Sequence, residues 1–246
     1  MKAVLLARGD RYERLDALRG AAIVWMAAFH FCFDLNYFRL LTPLQAFTRD
    51  PFWTTQRACI VTIFVFCAGL SQAVALQAGQ GWPRFWKRWS QVAACAALVS
   101  AGSALMFPHS YIYFGVLHGL AAMLVLTRLA APLRAWLWLL GALCLALPFW
   151  VQHPVFDTRY TDWVGLVTRK PVAEDYVPVL PWLGVMLWGL AAGQELLRRR
   201  RAALTGGLPG VLQPLAALGR WALSFYMLHQ LVLLGGLTAG RALGWW

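Results

Sequence analysis

Charge is what this chain has least of. Only 13% of its 246 residues are charged, and the acidic ones number ten. A soluble domain carries about 25% charged residues, so this surface could not cover an ordinary water-exposed globule. Lysine is scarcer still. Lys2, Lys87 and Lys170 all lie outside the apolar stretches, which excludes a retinal Schiff base within a span. The five cysteines, Cys32, Cys59, Cys67, Cys95 and Cys144, sit inside apolar stretches at spacings that match no metal or redox motif. They read as small packing residues. The chain shows no internal repeat of the kind many transporters carry and no low-complexity segment. It also has no cleavable signal pattern, because its first apolar stretch is too long and more follow.

What is present is apolar. Hydrophobic residues make up 60% of the chain, and the mean hydropathy is +0.57. These values predict an all-α polytopic membrane bundle forming a single integral-membrane domain over 1–246. Seven spans are expected, near 20–38, 56–77, 90–107, 111–128, 135–152, 179–197 and 217–237. Each is close to the ~20 residues that cross the hydrocarbon as a helix. Most prolines fall between these stretches, where no helical hydrogen bond is lost. Pro181 opens the sixth, and Pro148 lies near the end of the fifth, where it should bend or end the helix. Fourteen tryptophans suit the two interfacial belts.

The net charge of +12 could point to nucleic acid. The basic residues instead flank apolar stretches, as in the positive-inside pattern, so no nucleic-acid partner is expected. Seven spans put fifteen Lys and Arg on the N-terminal side and seven on the other. The N-terminus is therefore expected in the cytoplasm, and the run Arg198 to Arg201 is a cytoplasmic flank. The longest loop, near 153–178, faces outside with Asp157, Asp162, Glu174 and Asp175.

The first stretch carries the chemistry. On a helical wheel, Asp16, Arg19, Met26, His30, Asp34 and Tyr37 fall within ~80° of one another. Ionisable groups are costly in a bilayer, so this stripe should line the bundle interior or a hydrated path. Arg19 and His30 are separated by ~16 Å along the helix. His118 and His229 are expected at the depth of His30, some ~10–12 Å below the outer surface. His109 and His153 fall at outer span ends. Three buried histidines could supply a general base or nucleophile, a metal site or haem ligands. No carboxylate or cysteine clearly shares their depth, so no metal is expected. A proton or substrate path through a transporter or flippase would use the same stripe.

Several motifs together resemble the heparan-alpha-glucosaminide N-acetyltransferase catalytic-domain family of membrane acyltransferases. The opening pattern is Arg11, Leu15, Asp16, Arg19, Gly20, Met26 and His30. Family-like segments follow at Phe33 to Phe38, Tyr113 to Gly119, Asp175 to Val185 and Leu218 to Gln230. Two positions depart from the pattern: Ala222 stands where serine is frequent, and Leu231 where proline is.

The resemblance implies acetyl transfer from cytoplasmic acetyl-CoA to an extracytoplasmic sugar or glycan, with His30 as the catalytic residue. It also implies a minimal catalytic core in a membrane, expected to be a bacterial inner membrane, and a possible homodimer among lipids. On this reading Arg14, Arg19 and Arg220 bind the CoA phosphates, and Asp16 orients Arg19. Asp34 orients His30, and His118 and His229 bind the acceptor or stabilise an oxyanion. Asp162, Asp175 and Trp182 meet the acceptor from outside.

Overall fold

The computed structural model describes residues 12–205 and 207–245, and it is helical throughout its regular structure. Arg11, the first residue of the opening motif, lies outside the described residues, as do Lys2 and Arg8. The helices are α1 Glu13–Tyr37, α2 Pro51–Gln77, α3 Trp82–Met106, α4 Val116–Ala130, α5 Trp136–Trp150, α6 Val179–Arg199, α7 Ala202–Thr205, α8 Gln213–Arg220 and α9 Ala222–Ala242. A helix occupies each stretch where a span was expected. Five are long and apolar enough to cross a membrane: α1, α2, α3, α4 with the turn that follows it, and α9. With 15 residues, α5 reaches only ~22 Å. The 21-residue α6 is long enough, but its glycines, Gln194 and Glu195 dilute its hydropathy.

Two expected spans are corrected. The fourth helix begins at Val116, not near 111, because residues 107–115 are held as a loop. Within that loop Ser103 Oγ accepts the Ile112 N–H at 2.9 Å, and Ser100 Oγ donates to the Ile112 carbonyl at 2.6 Å. The last apolar stretch breaks at Trp221 into α8 and α9, so its long helix runs over Ala222–Ala242. The Gly219 carbonyl, which would otherwise serve the next helical turn, accepts a bond from Arg19 at 3.2 Å. The two proline expectations fare differently. Pro148 lies inside α5, which ends two residues later, and α6 turns regular only at Pro181, after a non-helical Leu180.

The chain divides into two compact units. One comprises residues 1–64 and 202–246, and the other 65–201. In the first, α1 packs on α7, α8 and α9. Two glycines permit the closest approach. A Cβ on Gly20 would overlap the Leu215 carbonyl, and one on Gly219 would overlap the Asp16 carbonyl. Along α8 the contacts run against the direction of α1, with Gly219 at Asp16 and Leu215 at Gly20; beyond the break at Trp221 they ascend together, from Phe225 and Tyr226 beside the Met26 and Phe29 cluster to His229 at His30 and Gln230 at Asp34. Hence α1 and α9 run parallel. Met26, Phe29, Phe47 and Ile60 form a buried cluster beneath the His30 level, with Phe47 stacked on Trp53 at 4.0 Å.

In the second unit α6 packs on α4 and α5, and α3 packs on α4. Its two long loops fold together. Glu174 N–H donates to the Ser110 carbonyl and Val177 N–H to the Phe114 carbonyl. The Tyr113 hydroxyl donates to Asp162 Oδ2 at 2.5 Å, and the Tyr176 hydroxyl to the Asp162 carbonyl at 2.6 Å. Burial, with Asp162 beside both rings, raises both phenol pKa values above their ordinary range. Only the neutral phenols fit this assembly. Its stability is therefore full below the unfolded tyrosine pKa of about 10 and falls as pH rises above it. Protection of the 107–115 amides from hydrogen exchange should drop more steeply above that pH in wild type than in a Tyr113→Phe, Tyr176→Phe double variant.

Candidate active site

The polar stripe of α1 faces α8 and α9 in the first unit. At its N-terminal end Arg19 Nη1 donates to Asp16 Oδ1 at 3.0 Å and to the Gly219 carbonyl at 3.2 Å. Asp16 thus holds Arg19, as the three-residue spacing predicted. Arg220, the next residue of α8, is exposed and makes no ion pair with a described residue. Arg14, also exposed, reaches the Gly207 carbonyl at 3.5 Å. Among the described residues this end of the unit therefore carries the guanidinium groups of Arg14, Arg19 and Arg220, with the Asp16 carboxylate bonded to Arg19, a suitable place for a polyanion.

Three helical turns further on, His30 meets His229 of α9. The ring centroids are 5.1 Å apart and the planes cross at 61°. Phe29 stands edge-on to His30, and Phe225 stacks parallel on His229. The His30 side chain is half-buried and bonds to no described residue. His229 is buried; its Nδ1 lies 2.7 Å from the Tyr226 carbonyl, and its Nε2 has no partner among the described residues. A carbonyl only accepts, so Nδ1 carries the proton and the neutral ring leaves Nε2 with a lone pair. In that state His229 offers a lone pair at Nε2 rather than an N–H.

Asp34, only 1% exposed, does not bond to His30. Both its oxygens accept from Gln230 Nε2, at 2.8 and 3.0 Å. Gln230 is a residue that sequence reasoning passed over. It stands beside His229 in a segment already singled out, but nothing local showed that its amide would reach a carboxylate 196 positions away.

His118 belongs to the second unit, two residues into α4 rather than seven residues into a span. It lies in the first turn of α4 because that helix starts late. Its Nδ1 accepts the Gly115 N–H at 3.3 Å, and its Nε2 pairs with Ser100 Oγ at 3.1 Å. Ser100 gives its own proton to the Ile112 carbonyl, so Nε2 is the donor of that pair. Both ring nitrogens are thus engaged in starting the helix. Asp175 has a similar task, since its Oδ2 accepts the Val116 N–H at 2.7 Å, an anion at a helix N-terminus. Asp162 is 1% exposed and keeps one carboxylate oxygen, Oδ1, without a partner. Trp182 is half-buried at the start of α6. Among the described residues no three His, Cys, Asp or Glu side chains gather as a metal site.

Comparison with known families gives one match, which spans most of the chain. The model described as "Heparan-alpha-glucosaminide N-acetyltransferase, catalytic" covers residues 11–231. No curated protein and no solved structure matches.

Proposed function

Because this chain belongs to the heparan-alpha-glucosaminide N-acetyltransferase catalytic-domain family, a family of membrane acetyltransferases, we propose the following reaction for it. It moves an acetyl group from cytoplasmic acetyl-CoA to a hydroxyl or amine of an extracytoplasmic glycan or glycolipid. Residues 1–246 act as one catalytic domain of seven spans in a bacterial inner membrane, with the N-terminus in the cytoplasm. The parallel course of α1 and α9 supports an odd number of crossings, and the excess of basic residues on the N-terminal side supports the orientation.

The observation that carries the reading is His30. It is an imidazole within α1 that bonds to no described residue, on the same helix face as a basic cluster ~16 Å away. That distance suits a long donor whose phosphates pair with guanidinium groups while its thioester reaches deeper. His30 acts as the base that takes the proton of the acceptor O–H or N–H. Arg19 and Arg14 bind phosphate, with Asp16 fixing Arg19. Asp34, held by Gln230, keeps α1 and α9 in register beside His30. Asp162, Asp175, Trp182 and His118 shape the acceptor side within their own unit.

The test is incubation of detergent-purified protein with radiolabelled acetyl-CoA and a panel of amino sugars and membrane glycolipids. Transfer of label to an acceptor supports the proposal. Absence of both CoA binding and turnover overturns it and favours a transport path through the same stripe. Arg220 offers a separate check on the donor site, because its removal breaks no described contact. Arg220→Ala should raise KM for acetyl-CoA about tenfold, the worth of one charge-assisted hydrogen bond. The KM for the acceptor should stay at its wild-type value. Steady-state kinetics with each substrate varied in turn decides this.

A further inference from the structure

His229 presents a buried acceptor that nothing fills. The ring is 8% exposed, its Nδ1–H is committed to the Tyr226 carbonyl, and Nε2 carries a lone pair without a partner. Buried polar groups in proteins are as a rule hydrogen-bonded, so an orphan acceptor is a place where a donor belongs; among the described residues Thr127 Oγ1, Asp162 Oδ1 and Gln230 Oε1 share this state. The ring of His30 lies beside the His229 ring, at 5.1 Å between centroids. Two imidazoles joined by one N–H···N bond have centroids on the order of 5 Å apart. Rotation of the His30 ring, which bonds to no described residue, is the movement the pairing requires. The nearby carboxylate that could compete for a His30 N–H is Asp34, and Gln230 already engages both of its oxygens. Phe29 and Phe225 supply apolar walls.

We infer that His229 is a positioning residue for His30: its Nε2 accepts one His30 N–H, which fixes the His30 tautomer and leaves the other His30 nitrogen free as the base. The inference rests on the acyltransferase reading. In the reaction, the acceptor O–H or N–H gives its proton to that free nitrogen as its oxygen or nitrogen bonds to the thioester carbonyl carbon. The imidazolium so formed keeps its hydrogen bond to His229, which spreads the charge across two rings. Collapse of the tetrahedral intermediate breaks the C–S bond, and His30 returns the proton to the departing sulfur. One C–O or C–N bond forms, one C–S bond breaks, and nothing is oxidised.

Two substitutions separate this role from that of a helix anchor. His229→Asn can keep the donor to the Tyr226 carbonyl and loses the Nε2 acceptor. His229→Gln places a carboxamide oxygen near the Nε2 position and gives up the anchor. His229→Asn should lower kcat about 100-fold, within the range for general-base catalysis, with both KM values at wild type. His229→Gln should recover about a tenth or more of the wild-type kcat. The reverse order, with Asn active and Gln impaired, assigns His229 to helix anchoring and overturns the inference. So does equal activity in both.

Nitrogen-15 spectra of imidazole-labelled protein in micelles give a readout that needs no turnover. His30 should show a single tautomer in wild type and a mixture in His229→Asn. A tautomer mixture already present in wild type overturns the pairing, whether or not the variants fold. If wild type transfers no acetyl group at all, the acyltransferase reading fails, while these spectra still decide the pairing.

Discussion

His30→Ala should abolish acetyl transfer, lowering kcat by about three orders of magnitude while leaving acetyl-CoA binding intact. The size follows from what a positioned general base contributes, about 10²–10⁴-fold. Binding should survive because the basic cluster lies ~16 Å away along α1 and shares no bond with His30. The fold should survive too. The side chain is half-buried, forms no hydrogen bond with a described residue, and makes ring contacts with Phe29 and His229. Single-turnover transfer, measured beside equilibrium binding of acetyl-CoA, checks both halves. Wild-type transfer by this variant would remove His30 from the chemistry. Label that remains on wild-type protein without acceptor, and not on the variant, would make His30 an acyl carrier rather than a base.

Gly219→Val should destabilise the packing of α8 on α1. A Cβ at this position would overlap the Asp16 carbonyl and crowd the Gly20 nitrogen, both main-chain atoms that cannot swing aside. The same carbonyl of Gly219 accepts the Arg19 bond that holds the α8–α9 break. Separation of α8 from α1 should cost about 1–3 kcal/mol, the usual penalty of overpacking. It should also raise KM for acetyl-CoA, because Arg19 loses one of its anchors. Gly235 and Gly236 on α9 supply the control. A Cβ on either meets no atom within 4 Å. Gly235→Ala should hold or raise stability, by up to about 1 kcal/mol, as expected of glycine replaced by alanine in a helix. Thermal unfolding in one detergent, with all three proteins side by side, gives the comparison. A Gly219→Val midpoint equal to wild type would show that α8 packs less closely on α1 than described.

The positions of the long helices were legible in the sequence because they depend on local properties. Apolar length, proline placement and 3.6-residue periodicity act within one segment, and a helix lies at each expected stretch. The stripe on α1 and the Asp16–Arg19 pair are of the same kind, since both ends of each interaction lie on one helix. Boundaries were less legible where distant groups set them. Asp175 and Ser103 hold the segments that delay α4 to Val116, and Arg19 diverts the carbonyl at the α8–α9 break. From residue types alone, His118 and His229 looked equivalent.

The sequence by itself determined an all-helical membrane protein of this acetyltransferase family, with a charged first helix and a histidine near its middle. Only the tertiary structure decided which groups meet. It set His229 against His30, engaged Asp34 with Gln230, and committed His118 to the start of α4. The physical reason is that a polar group in an apolar interior takes whichever partner packing brings within hydrogen-bond reach. Those partners lie as far as 200 residues along the chain. The free nitrogen of His229 is the sharpest case. A carbonyl three residues earlier claims one ring nitrogen, and packing leaves the other bare beside His30.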